Sequence, residues 1–487
     1  MAKKSRYSRQ VDGADALDRA LDELWSSIAA GDVLDAEMQA SSLIALPLLT
    51  GGTETEHNLL AAALVDAAEA RADEPETAAG FLRLLMALGP RAVKREASDA
   101  LAGLTGDGIY PPEWVTSIGK PAPGQAYRGR DLFGDREAVL VTFSYGDAEH
   151  ALLVLLDLSE LPLVSSVSLT TDVPRLMKLF EADDDEFFER LEPVALSEAR
   201  RRIEGPLARA GQDPGVELDT TTLLALPLAR SRVRRLPAPA PGQVNGYTAA
   251  DRAAAVAEFL GSPEASDAGD PDVARFWAQA LTGYSSRVAG EPLAQPGRHK
   301  LSAALLVYVA GTFTLSDAQI DGIVPAVTAW TRWAARRQGL REAATETLMT
   351  HLAGLLAQFQ AAYDDPDNVM ARCYVRDIVT PDADAAWLAE CRARRELAAP
   401  LPGNRHPDDL AVDPAEPDGR AVLLASEFGP CDLEGADPDE FFATAGRVVE
   451  ELWHDDPPAT WQAGKTMLAN GHDAHDVIHL LVESAAR

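Results

Sequence analysis

Apolar residues spaced three and four positions apart recur over most of this chain, and this periodicity constrains the fold more than any other feature. In residues 1–110 the pattern repeats in blocks typified by Leu21, Leu64 and Leu85. Residues at this spacing share one face of a helix, so the blocks predict consecutive amphipathic helices. Glycines such as Gly89 punctuate them, which indicates stacked helical hairpins.

The pattern changes between residues 138 and 170. Three apolar runs follow one another there with only short gaps: Ala138–Tyr145, Ala151–Leu156 and Val164–Leu169. Runs of this length joined by short turns predict an antiparallel meander. Because the runs are continuous rather than alternating, we expect helices over both faces of the sheet, within an α+β region that spans 111–236.

A proline-rich stretch at 237–246 predicts a semi-rigid linker. Helical periodicity returns over 247–397, which predicts a helical domain. Residues 398–487 begin with a loop-rich segment and end in a predicted helical hairpin. The sequence therefore predicts an α+β protein that is predominantly α-helical.

The net charge of −32, from 76 acidic and 44 basic residues, limits the kinds of molecule that the chain is expected to bind. Such a field repels nucleic acid and anionic membranes, so we expect neither as a direct partner, and it favours a basic protein partner. No apolar run is long enough to predict a transmembrane helix. The three cysteines show no paired spacing and no signal peptide is evident, so the chain is predicted to be cytoplasmic.

Histidines near the C-terminus form the one pattern that suggests chemistry. His475 and His479 are one helical turn apart, the spacing with which a helix holds a metal ion. This predicts a divalent metal site, for zinc, manganese or iron, with His475, His479, Asp476 and His454 as candidate ligands. No other cofactor is predicted.

The same segment, His-Asp-x-x-His, also mimics the zinc-protease helix, with Asp476 in the place of the general base. Asp is one methylene shorter than Glu, and no third ligand follows at a recognisable spacing. The alternative interpretation is structural: the histidines hydrogen-bond to neighbouring caps and loops.

Residues Leu452, Trp453, Asp455–Pro458, Trp461, Gly471, His475, Asp476 and His479 form a recognisable C-terminal pattern. This pattern resembles the DUF1841-like module of uncharacterised actinobacterial proteins. Leu132–Asp135 and Leu226–Pro237 are similar to upstream regions of the same proteins. The resemblance implies no activity and no catalytic residues.

Three functions remain open from the sequence. The first is a non-catalytic partner-binding or regulatory protein, favoured by the helical pattern, the acidity and the lack of phosphate-loop or nucleophile motifs. The second is a metal-dependent hydrolase or metal sensor that uses the C-terminal histidines. The third is an acidic mimic of nucleic acid that sequesters a basic protein.

Overall fold

The structure of the chain is a computed structural model. It describes residues 19–50, 54–71, 73–159, 162–181, 191–211, 217–239, 247–286, 292–399, 412–428, 437–469 and 472–485. The chain divides into two compact units, Met1–Gln243 and Val244–Arg487. The division falls within the predicted linker, most of which lies outside the described residues.

The first unit opens with a layer of helices. Residues 19–30 are helical and are called α1; they are followed by α2 (Val33–Ile44), α3 (Glu54–Glu69), α4 (Pro75–Leu88) and α5 (Arg91–Gly106). Their apolar faces form one core, in which Leu24, Leu64 and Leu85 are almost completely buried. The helical spacing that predicted these elements is thus the spacing that builds the core.

A five-stranded antiparallel sheet follows, with the order β4-β3-β2-β1-β5. Its strands are β1 (Ala122–Arg130), β2 (Arg136–Tyr145), β3 (Ala148–Asp157), β4 (Leu163–Thr170) and β5 (Glu192–Val194). The predicted meander corresponds to β2, β3 and β4. The helices of this region are α6 (Val173–Glu181), α7 (Leu196–Arg209) and α8 (Thr220–Val233).

Helices cover both faces of the sheet, as its continuous apolar strands require. On one face, Val141 and Val154 pack in a core with Ile203 of α7 and Leu226 of α8. On the other, Leu140 packs with α6. Helix α8 also contacts α2 and α4, so it joins the helical layer to the sheet.

The described ranges of the second unit contain helices joined by turns and loops, and no strand. Its helices are α9 (Ala249–Leu260), α10 (Pro271–Ser285), α11 (Arg298–Ser302), α12 (Ala310–Thr312), α13 (Asp317–Asp321), α14 (Ile323–Arg337), α15 (Glu342–Tyr363), α16 (Pro366–Cys373), α17 (Ala385–Ala398), α18 (Pro417–Glu427), α19 (Pro438–His454), α20 (Pro458–Ala469) and α21 (Ala474–Ala485). Within the segment predicted to be loop-rich, the apolar residues Ala421–Leu424 lie in α18.

Aspartate side chains cap several helices of both units. Asp32, Asp219, Asp270 and Asp437 each accept a hydrogen bond from a backbone N–H in the first turn of the helix that follows. A carboxylate there satisfies an otherwise unpaired donor and lies at the positive end of the helix dipole. Part of the chain's acidity therefore serves local helix formation.

A π-helix, Ala303–Val309, lies between α11 and α12. The side-chain amide of Asn368 donates to the Leu306 carbonyl at 3.1 Å, and the Arg372 guanidinium donates to the Ala310 carbonyl. Helix α16 thus supplies donors to one carbonyl of the π-helix and to one directly after it.

The predicted fold class, α+β and predominantly helical, is confirmed. Across the described ranges, no helix has the length and apolarity needed to span a membrane.

Candidate functional site

Within the C-terminal Trp453–Pro458 segment, Trp453 belongs to the core of the second unit, whereas Asp455 to Pro458 are exposed. Trp453 is buried, and the guanidinium groups of Arg395 and Arg420 each lie 4.5 Å from its ring centroid. Arg394 pairs with Asp455 at 3.3 Å. Cation–π contacts of this kind stabilise a buried aromatic ring, so the geometry gives these residues a structural role.

The two candidate ligand histidines lie in α21, as predicted. The side-chain carboxylate of Asp473 caps this helix by accepting from the Asp476 N–H at 2.8 Å. His475 packs against Phe428 with 4.5 Å between ring centroids, and its Nδ1 lies 3.2 Å from Oε1 of Glu427. Nδ1 of His479 lies 3.4 Å from Oε1 of Glu483.

The other two candidate ligands have separate surroundings. His454 ends α19, and its Nε2 lies 3.4 Å from Oε2 of Glu450. Asp476 is exposed in the first turn of α21. Among the described residues, no three His, Cys, Asp or Glu side chains converge as a metal site would require. His406, another histidine that could supply a ligand, lies outside the described residues, and the metal site stays a prediction.

The first unit contains a buried polar network that sequence reasoning missed. Arg232 of α8 pairs with Glu37 of α2 at 2.5 Å, and both side chains are 0% exposed. The other oxygen of the Glu37 carboxylate accepts from the Gly119 N–H at 2.7 Å and from the Tyr145 hydroxyl at 2.8 Å. Arg232 Nε donates to Nε2 of His150 at 2.9 Å. We call these five residues the Glu37 network.

Aromatic rings enclose the histidine of this network. The rings of Phe143 and Tyr145 stack on His150 at centroid distances of 5.7 and 6.0 Å. Burial, with the Arg232 charge, lowers the pKa of His150 to about 3. Burial also raises the pKa of the Tyr145 hydroxyl, an effect opposed by Arg232 and reinforced by Glu37. His150 is therefore neutral and Tyr145 protonated at neutral pH.

The burial of the Glu37 network favours a structural role. The side chains of its Arg232–Glu37 pair are 0% exposed. Buried ion pairs often contribute less stability than apolar residues of the same size, and their best-attested effect is to fix one arrangement of the elements they join. Here the Arg232–Glu37 pair and the hydrogen bonds around it join α2, α8 and the β2–β3 hairpin to the turn at Gly119.

The sequence does contain a weak signal for this network. Arg232 lies among apolar residues of α8, yet it belongs to the basic cluster of Arg230, Arg234 and Arg235. The structure separates these arginines. Arg230 donates to the carbonyls of Leu207 and Ala210 at the end of α7, whereas Arg232 turns inward.

Two surface cavities of the first unit carry opposite charge. The first, here called the acidic groove, has a volume of about 540 Å³ and lies between α3, α4 and α5. Its apolar floor includes Val65, Ala68, Ala78, Leu82, Ala100 and Leu104. Four carboxylates lie along it, those of Glu69, Glu96, Asp99 and Asp107, and none of its described lining residues is Lys or Arg.

The second, here called the basic cavity, has a volume of about 270 Å³ and lies beside the end of α4. Arg83 and Lys120 supply its charges, and no Asp or Glu is among its described lining residues. Its apolar surface comes from Met86, Ala87, Val115 and Ile118.

Comparison with known proteins adds no relative from which to assign a family: no protein-family model, curated protein or solved structure matches this chain.

Proposed function

We propose that this chain is a non-catalytic, cytoplasmic partner-binding or regulatory protein whose acidic groove receives a basic, amphipathic helical segment of a partner protein. The observation that carries the proposal is an apolar floor combined with carboxylates as the only charged groups among the described lining residues of the groove. A helix with apolar residues on one face and Lys or Arg on its flanks complements both features.

The carboxylates of the groove are available to a partner. Glu69, Asp99 and Asp107 are exposed, and none of the three is ion-paired with any residue in the described ranges. Within the described ranges, Glu96 pairs with its neighbour Arg95 alone, at 3.1 Å on the surface. Exposed charges of this kind steer a basic partner and set its orientation, while the apolar floor supplies binding energy.

Binding of a designed helix tests the proposal. The probe is a fluorescent sixteen-residue peptide (~four helical turns) with leucines on one face and lysines elsewhere; a leucine–glutamate peptide of the same pattern is the control. We expect the full-length chain to bind the lysine peptide and not the glutamate peptide. Fluorescence anisotropy measures both, and binding should weaken with added salt because salt screens exposed charges.

A pair of matched variants locates the binding site. D99N/D107N removes two carboxylates from the groove, whereas D147N/E149Q removes two exposed carboxylates from the tip of the β2–β3 hairpin. We expect the first variant to bind the lysine peptide about two- to tenfold more weakly and the second to bind it like the wild type. Equal losses in both would contradict the groove and favour the acidic-mimic alternative.

A further inference from the structure

The basic cavity is unusual because of the chain in which it occurs. The chain has 76 acidic residues against 44 basic ones, so a concave surface would be expected to carry carboxylates. Instead, Arg83 of α4 and Lys120 are its charged lining residues. Neither side chain is ion-paired with another residue in the described part of the chain. Their charges are therefore available to a ligand.

Two more cations lie beside the same end of α4. Lys94 is in the first turn of α5, which follows α4 after Gly89 and Pro90. The guanidinium of Arg234, at the end of α8, is close enough to act on it electrostatically. These two cations repel each other, which disfavours the charged form of Lys94, and they add to the positive charge near this end of α4 without lining the cavity.

The Glu37 network holds one wall of the basic cavity in place. Gly119, whose N–H donates to Glu37 at 2.7 Å, directly precedes Lys120. It has a φ of +68°, a conformation that favours glycine. A Cβ at this position would lie 3.5 Å from Ala87 on α4 and 3.9 Å from the Ser231 hydroxyl on α8. The turn that carries Ile118 and Lys120 is thus fixed between two helices.

We infer that the basic cavity binds a small phosphorylated metabolite, with its phosphate at Arg83 and Lys120 and its apolar part against Met86 and Val115. A guanidinium offers a planar pair of donors that matches phosphate oxygens, and an ammonium adds a compact charge. The volume of about 270 Å³ limits the ligand to a small molecule. This binding is independent of the acidic groove.

Calorimetry with simple phosphates tests the inference on the full-length chain. The probes are phenyl phosphate, which has an apolar ring, and inorganic phosphate, which has none; benzoate tests whether any carboxylate suffices. We expect phenyl phosphate to bind more tightly than inorganic phosphate, because the apolar wall contacts only the ring. R83Q/K120Q should weaken phenyl phosphate binding by about tenfold or more.

R175Q/K178Q is the matched control, since it removes two exposed cations from α6 and changes the net charge by the same amount. It should bind phenyl phosphate like the wild type. Circular dichroism would show that both variants are folded, as substitutions of exposed side chains should allow. Equal weakening in both variants, or no binding by the wild type at millimolar ligand, would overturn the inference.

Discussion

Nε of Arg232 donates to Nε2 of His150 across 2.9 Å, so the histidine accepts a hydrogen bond from a cation in the core of the first unit. An imidazole that accepts at Nε2 carries its proton on Nδ1. Protonation of Nε2 would break the bond and place two positive charges side by side. The contact between these two residues therefore excludes the charged form of His150 from the folded state above about pH 3.

This exclusion predicts a loss of stability in acid. The pKa of folded His150 is about 3, below the usual value of about 6.5 for an unfolded histidine. As the pH falls through this window, the unfolded chain takes up a proton that the folded chain does not. The free energy of unfolding should then fall by about 1.4 kcal/mol per pH unit.

H150Q isolates this contribution, because Gln retains an acceptor for Arg232 and does not titrate. We expect its free energy of unfolding, from urea denaturation between pH 7 and 4, to depend less on pH than that of the wild type. Parallel profiles for the two proteins would contradict the prediction.

Removing the charge of Glu37 should destabilise the first unit strongly. E37Q leaves the Arg232 guanidinium, which is 0% exposed, without its counter-charge. Losing one partner of a buried ion pair costs about 3–5 kcal/mol. By contrast, Asp22 forms an exposed pair with Arg71, and D22N should cost less than about 1 kcal/mol.

Urea denaturation of E37Q and D22N measures this difference. The double variant E37M/R232M replaces the ion pair with apolar side chains and should lose less stability than E37Q alone. Equal losses in E37Q and D22N would show that burial does not determine the value of the Glu37–Arg232 pair.

A buried carboxyl group near the start of β2 should have the opposite pH dependence. Burial and the nearby Asp135 raise the pKa of Asp131 to about 6, although backbone N–H groups oppose the shift. The usual unfolded value is about 3.9. Because the folded pKa is the higher one, the protonated carboxyl stabilises the fold below about pH 4, and that stability is lost as the pH rises through 6.

D131N should therefore stabilise the first unit at alkaline pH. The Asn oxygen still accepts from the N–H groups of Asp135 and Arg136, which lie 2.8 and 3.2 Å from the Asp131 oxygen. We expect a gain of about 1–3 kcal/mol at pH 8 and no gain at pH 4, measured by thermal or urea unfolding. A gain in stability of the same size at pH 8 and at pH 4 would indicate a cause other than titration of Asp131.

The sequence predicted the helices and the meander because their signals are local. Leu64 and Leu85 follow helical spacing, and the apolar runs of β2 and β3 are continuous. Strand β1 was not predicted because Pro123, Gly124 and Gln125 interrupt the alternation of apolar and polar residues. Its position in the sheet depends on its pairing with β2. Strand pairing of this kind depends on tertiary context more than on local propensity.

The Glu37 network was missed for a related reason. Its two charged partners, Glu37 and Arg232, are 195 positions apart, and each resembles an ordinary surface charge in its own segment. Only the packing of α8 against α2 brings them together. The histidine spacing in α21 was correctly placed on a helix, because an i, i+4 relationship requires no tertiary information.

Replacement of His475 distinguishes packing from metal binding. Its ring packs against that of Phe428, with 4.5 Å between centroids and a tilt of 31°. Phe at this position would preserve that ring contact, whereas Ala would not. Aromatic pairs contribute about 0.5–1.5 kcal/mol beyond burial. We therefore expect H475F to be more stable than H475A in thermal unfolding.

Elemental analysis of tag-free protein purified without chelator tests the alternative, metal binding. A metal ligated by His475 and His479 would be lost from both H475F and H475A, because neither substitute supplies a nitrogen ligand. Packing predicts that stability follows the ring and that metal content is the same in all three proteins. One metal per wild-type chain, absent from both variants, would overturn the packing interpretation and support the metal-sensor or hydrolase alternative.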